Sequence, residues 1–407
     1  MIFIFFKIWF DCQIKLNHKQ VQRPIRIGVL CPYSSIYPNL SSDFTDGLLS
    51  GIQADYHKHV QLIPEYVGQG GRQPIMESFN KLLSFHRVDI VSGFASYRLI
   101  PDLVPAIESR NILGLFADMG EYIPYTHHIS DNVFFSSFQF WQAEYALGFW
   151  AQKNFEGKGH VLLSLYEAGY QMHYAFREGY FMAGGKEIDI SVLPQNRPSR
   201  ALMAEYFEDF MEKFRKEKPS FIHALFSGYE AVDFISLYYE KGLHKEVPLI
   251  VSPHMASEEV LTAVNGVNAQ IYGASIWSRE EDNHANRKFK EAVLRQSGLL
   301  TNTPTLQGYE IGLALTGVFK QLLKRDISEV SKILKEQRIT TPRGERSFYL
   351  DSDYATPNIT IEKLLLEGSI FKRLAIEEGR SLNYNDEVFG RIHKENISGW
   401  INPYLCV

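Results

Sequence analysis

Six short loops carry the side chains of this 407-residue chain best suited to holding a small molecule. They are Tyr33-Ser34-Ser35, Ser96-Tyr97-Arg98, Asp118-Met119, Glu167–Tyr170, Ser227–Glu230 and His254-Met255. A hydroxyl beside free N–H groups at a helix start suits a carboxylate, because the helix dipole favours negative charge there. A tyrosine ring offers an apolar wall with a hydrogen-bonding tip. Asp118 or Glu230 is suited to an ammonium group. Each residue also has a plainer role open to it. Ser96 can be an N-cap, Tyr170 and Tyr229 half-buried helix starts, and Glu230 a first-turn acid offsetting the helix dipole. Recurrence at six successive strand ends lifts the set above its members.

Catalytic and metal chemistry find no footing. Gly68-Gln69-Gly70-Gly71 follows a strand but lacks the G-x-G-x-x-G spacing and the Lys–Ser/Thr pair of a phosphate loop. It reads as a glycine-rich turn. No G-x-S-x-G, H-E-x-x-H or Cys-x-x-Cys occurs. His127 and His128 are adjacent, so their side chains diverge and suit solvent better than one metal ion. Cys12, Cys31 and Cys406 are too few and too far apart for a disulfide scaffold or zinc site. Asn39-Leu40-Ser41, Asn358-Ile359-Thr360 and Asn396-Ile397-Ser398 match the glycosylation acceptor pattern, which arises by chance in a chain this long. Neither a catalytic centre nor a cofactor is expected.

The elements that must position these loops alternate between strand and helix. Ile25–Cys31 (IRIGVLC) is a buried strand, and Ser42 or Asp43 can cap the helix that follows. Phe44, Leu48 and Ile52 share one face of that helix, with Gly47 and Gly51 beside them where it can approach the sheet. Strands Val60–Val67, Val88–Gly93 and Ile112–Ala117 and helices Met76–His86 and one ending near Arg110 complete four alternations, a doubly wound α/β pattern. Pro101 allows two starts for the last helix. Either it begins after Ile100, or Ser96 caps a helix that Pro101 kinks.

The same rhythm repeats from Val133. Strands at His160–Leu165, Ile188–Leu193, Phe221–Phe226 and Pro248–Ser252 alternate with helices at Phe140–Asn154, Gly169–Ala183, Arg200–Lys216, Tyr229–Lys241 and Ser257–Val264. Ile271–Trp277 is a further strand. His284–Arg295, Thr305–Leu323 and Ile327–Gln337 are helices, and Thr305–Leu323 is apolar nearly all round. After Pro342-Arg343-Gly344 the pattern turns to alternation, with antiparallel strands expected at Arg346–Leu350 and Ile359–Leu366. The tail from Ile376 is mostly polar. No Gly/Pro/Ser-rich linker divides the halves, so two lobes that exchange strands are expected.

Composition is that of an ordinary globular protein. Hydrophobic residues make up 45% and charged residues 22%, enough apolar material for two cores. The net charge of −5 with scattered Lys and Arg leaves no nucleic-acid footprint. No apolar run approaches the ~20 residues of a membrane span. MIFIFFKIWF at the start has its apolar run first, broken by Lys7, and no small-residue cleavage site follows. Residues 1–23 are therefore read as a degraded or incomplete export segment. Trp9-Phe10-Asp11 before Cys12 is a poor lipidation pattern, so a lipid anchor is not supported.

Together these segments resemble the type I periplasmic binding proteins, in the branch of the Leu/Ile/Val-binding components of ABC importers. IRIGVLCPYSSIYP is similar to that family's opening strand and loop, and DFTDGLLSGIQ to its first helix. VDIVSGFASYRLIPDLVPAIESRNILGLF is similar to its strand, helix and "G-(I/V)-P" strand. GHVLLSLYEAGYQMHYAFREGYFMAGG resembles the start of the second lobe, LQGYEIGLAL the late "Y-(D/E)-A" helix, and TPRGERSFYLDSD the final hairpin. The six blocks run in order from Ile25 to about Arg373.

The resemblance implies two α/β, doubly wound parallel-sheet lobes joined by a three-crossover hinge, with ligand in the cleft between them. It implies crossovers near Gln139, Ile271 and Ile339. Residues 24–139 plus 271–339 then form the N-terminal lobe, 140–270 plus 340–375 the C-terminal lobe, and 376–407 a tail. It implies that Ser96, Tyr97, Ala117 and Met119 from one lobe and Tyr170 and Tyr229 from the other hold the ligand. Tyr33, Ser34, Asp118, Glu230 and His254 join them from the reading of the loops. The loop Ser/Thr common near Met119 is absent, and His254 stands where amino-acid binders often have an acid. The implied role is a non-enzymatic, monomeric, periplasmic or otherwise extracytoplasmic binding protein. It would capture a small polar ligand, an amino acid or an amide- or urea-type compound, for an ABC transporter permease. A ligand sensor of the same fold is the alternative.

Overall fold

The computed structural model describes residues 23–124, 130–193, 199–349, 356–383, 385–395 and 399–406. The expected export segment, His127-His128 and Asn396-Ile397-Ser398 lie outside the described residues.

Two parallel sheets form the two lobes. The first has strands β1 (Ile25–Cys31), β2 (Val60–Tyr66), β3 (Ile90–Phe94), β4 (Leu113–Asp118) and β5 (Val133–Ser137), in the order β2-β1-β3-β4-β5. All its pairings are parallel. The central strands are mostly apolar and almost wholly buried because helices cover both faces. These helices are α1 (Leu40–Gly51), α2 (Arg72–Lys81) and α3 (Ile100–Arg110), joined by two from the far end of the chain described below.

The second sheet has β6 (Gly159–Ser164), β7 (Ile188–Leu193), β8 (Phe221–Leu225), β9 (Leu249–Val251), β10 (Val267–Ser275), β13 (Thr360–Gly368) and β14 (Ile370–Glu378), in the order β14-β13-β10-β9-β8-β6-β7. From β10 outward the pairing is antiparallel. Helices α4 (Phe140–Phe155), α5 (Met172–Met182), α6 (Arg200–Glu217), α7 (Gly228–Glu240) and α8 (Glu258–Ala263) belong to this lobe. The chain then returns through α9 (His284–Ser297), α10 (Thr303–Leu323) and α11 (Ile327–Glu336). A hairpin of β11 (Ile339–Thr341) and β12 (Gly344–Arg346) follows, and α12 (Asp386–Glu395) comes near the end.

Several expectations are corrected. Ile271 lies in the middle of β10, so the chain leaves the second sheet after Ser275. The strand expected at Arg346–Leu350 is replaced by the short β11–β12 hairpin, and β14 was not anticipated because its outer face is exposed. Gly47 and Gly51 approach α10 and not the sheet. A β-carbon at either would overlap the Thr305 or Tyr309 carbonyl oxygen, and one at Gly308 or Gly312 the Phe44 or Leu48 carbonyl. Two small residues four apart on each helix thus let the backbones touch. Helix α10 starts with a reciprocal cap. Asn302 accepts from the Thr305 N–H at 3.0 Å, and the Thr305 hydroxyl oxygen accepts from the Asn302 N–H at 2.7 Å.

Candidate functional site

The carboxyl ends of β1, β3, β4, β6, β8 and β9 converge between the lobes, where a parallel sheet presents its ligand-binding crevice. The loops after them bring Ser34, Ser96 and Glu121 from one lobe towards Tyr166, Glu167, Tyr170, Ser227 and His254 from the other. All eight are buried. They surround the last described stretch of the chain, Gly399–Cys406, whose Tyr404, Leu405 and Cys406 are at most 1% exposed.

Each contact has a local cause. Ser34 turns inward because its hydroxyl accepts from the Tyr37 N–H at 2.8 Å, and it donates to the Leu405 carbonyl. Beyond β6, the Ser164 hydroxyl accepts from the Glu167 N–H at 3.3 Å and tightens a short helical turn that points Tyr166, Glu167 and Tyr170 into the cleft. The Tyr166 hydroxyl accepts from the Leu405 N–H at 2.9 Å. One residue, Leu405, is therefore gripped by hydroxyls from both lobes, through the two peptide groups that flank it. The Tyr170 hydroxyl lies 3.2 Å from that of Tyr166 and 3.3 Å from the Asn402 carbonyl. Tyr122 donates to the Trp400 carbonyl.

The Tyr404 ring fills an aromatic socket. It is stacked at 6.1 Å from Tyr166 and set edge-on to Tyr170 at 5.1 Å, His254 at 6.2 Å and Phe140 at 6.3 Å. Its hydroxyl donates to Glu167 Oε1 at 2.8 Å, and the Ser227 hydroxyl donates to the same oxygen. Burial pushes the Glu167 carboxyl up to about 8, against the lowering effect of those two hydroxyls. Glu167 Oε2 and His254 Nδ1 are buried without a hydrogen-bond partner among the described residues.

Charge in the cleft is muted. Burial, then the charge of Asp118, holds Glu121 well above the ordinary carboxyl range, with the Ser96 hydroxyl and the Tyr404 backbone as polar neighbours. Burial pushes Asp118 up to about 6 and His254 down to about 3. His254 is thus neutral, and its Nε2 accepts from the Gly228 N–H at 3.3 Å, at the start of α7. Beside the filled part, an open cleft of about 970 Å³ lies between Tyr37 and Thr301-Asn302 of one lobe and Ser257–Glu259 and Arg373 of the other.

The sequence-derived residues divide accordingly. Ser34, Ser96, Tyr170 and His254 meet in the cleft. Tyr229 is 88% exposed and Tyr33 60% exposed, so neither reaches it. Tyr229 follows Ser227 at the start of α7, where a two-residue step turns the side chain to the opposite side. Tyr97 packs into the first lobe's core, 5.6 Å from Phe135. The Ala117 carbonyl accepts from the Ala95 N–H at 3.2 Å, and the Met119 carbonyl from the Phe140 N–H at 3.0 Å. Asp118 accepts from the Gly120 N–H at 3.0 Å and braces the first crossover. Glu230 is buried in the first turn of α7 and reaches Glu167 through its charge.

Ser96 does not cap α3. A turn over Tyr97–Leu99 intervenes, α3 begins at Ile100 with Pro101 in its first turn, and Ser96 makes no side-chain cap. Its hydroxyl faces the Glu121 acid. Glu121, Tyr122, Tyr166 and Phe140 went unrecognised, as did the cleft-filling role of the tail. Only the uncharged, apolar run Trp400–Cys406 signalled a buried end. Among the described residues, three metal-ligating side chains meet at His160, Asp189 and Glu217, where the Lys158 ammonium already pairs with Asp189 at 3.0 Å.

No curated protein matches the chain. Among solved structures it is similar to an ABC transporter substrate-binding protein from Sphaerobacter thermophilus, with 21% identity and a TM-score of 0.72 over 89% of this chain and 99% of that one. A solute-binding protein of an ABC transporter from R. palustris, in complex with benzoate, is similar at 19% identity and a TM-score of 0.68, covering 89% of this chain and 98% of that one. One from Rhodopseudomonas palustris BisB5, in complex with 3,4-dihydroxy benzoic acid, has 18% identity and a TM-score of 0.71, covering 89% and 99%. The model of a family described as periplasmic binding protein matches residues 24–359. With two parallel-sheet lobes closing on a shared cleft, the chain belongs to the periplasmic binding protein family, whose members bind solutes and do not catalyse reactions.

Proposed function

We propose that this protein is an extracytoplasmic solute-binding component that captures a small, uncharged, amide-type ligand carrying an aromatic ring and delivers it to an ABC transporter permease. The observation that carries this reading is the grip on the two peptide groups that flank Leu405. Ser34 of one lobe donates to its carbonyl, and Tyr166 of the other accepts its N–H at 2.9 Å. A ligand that carries an amide N–H and an amide carbonyl on either side of one carbon, as a capped amino-acid amide does, bridges the lobes in that place and rewards closure. The adjoining socket takes a ring with a hydroxyl, as it takes Tyr404. Ring-bearing ligands in the related benzoate and dihydroxybenzoate complexes are in keeping with this.

A zwitterionic amino acid fits less well. Its ammonium would meet a largely protonated Glu167, which offers it no charge. The test is thermal stabilisation of the native chain and of the full-length Tyr404→Ala chain by N-acetyl-tyrosinamide, tyrosine and 4-hydroxybenzoate. Ligand at a hundredfold above its dissociation constant adds about 2.7 kcal/mol of stability. The amide is expected to raise the melting temperature of Tyr404→Ala and tyrosine to leave it unchanged. Stabilisation by tyrosine alone, or by none of the three, overturns the reading.

A further inference from the structure

We propose that the interlobe cleft is a peptide-binding site whose resident ligand is the chain's own carboxyl-terminal segment, Gly399–Cys406, and that any free ligand binds by displacing it. The inference rests on the reading of this cleft as the ligand site.

The segment is held as a ligand is held. Its backbone is bonded to both lobes at Leu405, and at Trp400 the N–H donates to the Gly169 carbonyl at 3.1 Å. The Trp400 indole N–H donates to the Tyr166 carbonyl at 2.7 Å. Its only ionisable side chains, Tyr404 and Cys406, are uncharged, which suits a cleft whose acids are held protonated. The lobes are shaped for it. A β-carbon at Gly169 would run into the Trp400 indole, and one at Gly70 of the opposite lobe into the Pro403 ring.

The segment also bends to fit. The Cys406 N–H donates to the Pro403 carbonyl at 3.3 Å, closing a turn, and Leu405 sits at φ +68°. A residue with a β-carbon holds that left-handed conformation only where its surroundings over-determine it. Here Ser34 and Tyr166 fix both sides of the residue. The turn is thus stabilised by the cleft and not by its own sequence.

Tethering sets the competition. A segment joined to its site acts at an effective concentration in the mM range for a short linker, so a free ligand must exceed that advantage. The residues that hold Tyr404 would then grip the incoming ring, which makes the tail both a stand-in for the ligand and a threshold for its entry.

The experiment uses the full-length chain, native and Tyr404→Ala, with a fluorescein-labelled, amidated octapeptide of residues 399–406 as probe. The native chain is expected to show no binding at 100 μM receptor. Tyr404→Ala should bind the peptide at least tenfold more tightly than a probe whose tyrosine is replaced by phenylalanine. Independently, hydrogen exchange of the native chain should show the Leu405 and Trp400 amides protected, with protection lost on adding N-acetyl-tyrosinamide in excess. Equal binding to both chains, no binding to either, or rapid exchange of those amides in the native chain overturns the proposal. Peptide binding without aryl-amide binding would sink the small-ligand reading and leave the resident peptide standing. The reverse pattern would spare the small-ligand reading.

Discussion

Glu167 is the residue on which the chemistry of the cleft turns. It receives the Ser227 and Tyr404 hydroxyls on one oxygen, and the charges of Glu230 and Glu144 add to the upward push of burial. Its folded value of about 8 stands above the ordinary carboxyl value of 4.5, so the folded chain binds the proton more tightly than the unfolded one. The resulting stability is fully present below about 4.5 and is lost as pH rises through about 8. Each unit of such a difference corresponds to ~1.4 kcal/mol. Unfolding followed from pH 5 to 9 should therefore show a falling melting temperature. Glu167→Gln keeps the acceptor for Ser227 and Tyr404 and cannot ionise, so it should flatten the fall. The slope that remains includes Glu121 and Asp118, which are shifted in the same direction, and is opposed at the acid end by His160, His173 and His254, whose values burial lowers. An unchanged slope in Glu167→Gln would show that the carboxyl is ionised in the folded cleft at neutral pH.

At the scale of elements, the contact between α1 and α10 ties the beginning of the chain to a helix about 260 residues later. Gly47 and Gly308 lie so close to the opposing backbone that a methyl group must push the helices apart. Gly308→Ala should cost about 2–3 kcal/mol, in the range of overpacked cores, although alanine favours the helix locally. Urea unfolding checks it, and a gain in stability would show that the helices separate without loss. The glycine spacing was legible as a close approach, but not its partner, since a pattern on one helix names no surface. The same limit separates what could be read of the site. Strand ends are marked by apolar runs that stop, so Ser34, Tyr170 and His254 were found in their loops. Which neighbour faces inward depends on the helical turn that follows, and this is why Ser227 enters the cleft while Tyr229 points to solvent. Glu121 lies past β4 in irregular backbone without periodicity. The tail was least legible of all, because its Ser34 contact spans 371 residues of chain.

Across the whole molecule, closure depends on how the crossovers are fixed to one another. Arg343, in the turn between β11 and β12, donates to Glu310 of α10 through Nε at 2.8 Å and a terminal nitrogen at 2.6 Å, and to the Ser137 carbonyl at 3.0 Å. Its guanidinium lies 4.8 Å from the Phe138 ring, and Arg346 donates to Gln139 Oε1 at 2.5 Å. The first and third crossovers are thus clamped onto one helix of the first lobe. Burial pushes the Glu310 carboxyl up, but the charge and hydrogen bonds of Arg343 more than offset it and hold it below its ordinary value. Its contribution is present above the unfolded pKa and is lost as pH falls through the folded one. Arg343→Met strands the carboxylate in a dry interior and should cost about 3–5 kcal/mol at pH 7. With the guanidinium gone, burial is opposed only by the smaller effects of the Arg346 charge and the Ser136 hydroxyl, so the Glu310 pKa rises, the sign of the pH dependence inverts, and this variant should gain stability on mild acidification where the native chain loses it. Arg343→Met combined with Glu310→Met should recover much of the loss by leaving an apolar pair in place of a lone charge. Urea unfolding of the native chain and these variants at pH 4 and pH 7 reads all three effects. A single variant within ~1 kcal/mol of native at pH 7 would mean that water reaches Glu310 and that the crossovers are held together by their aromatic packing instead.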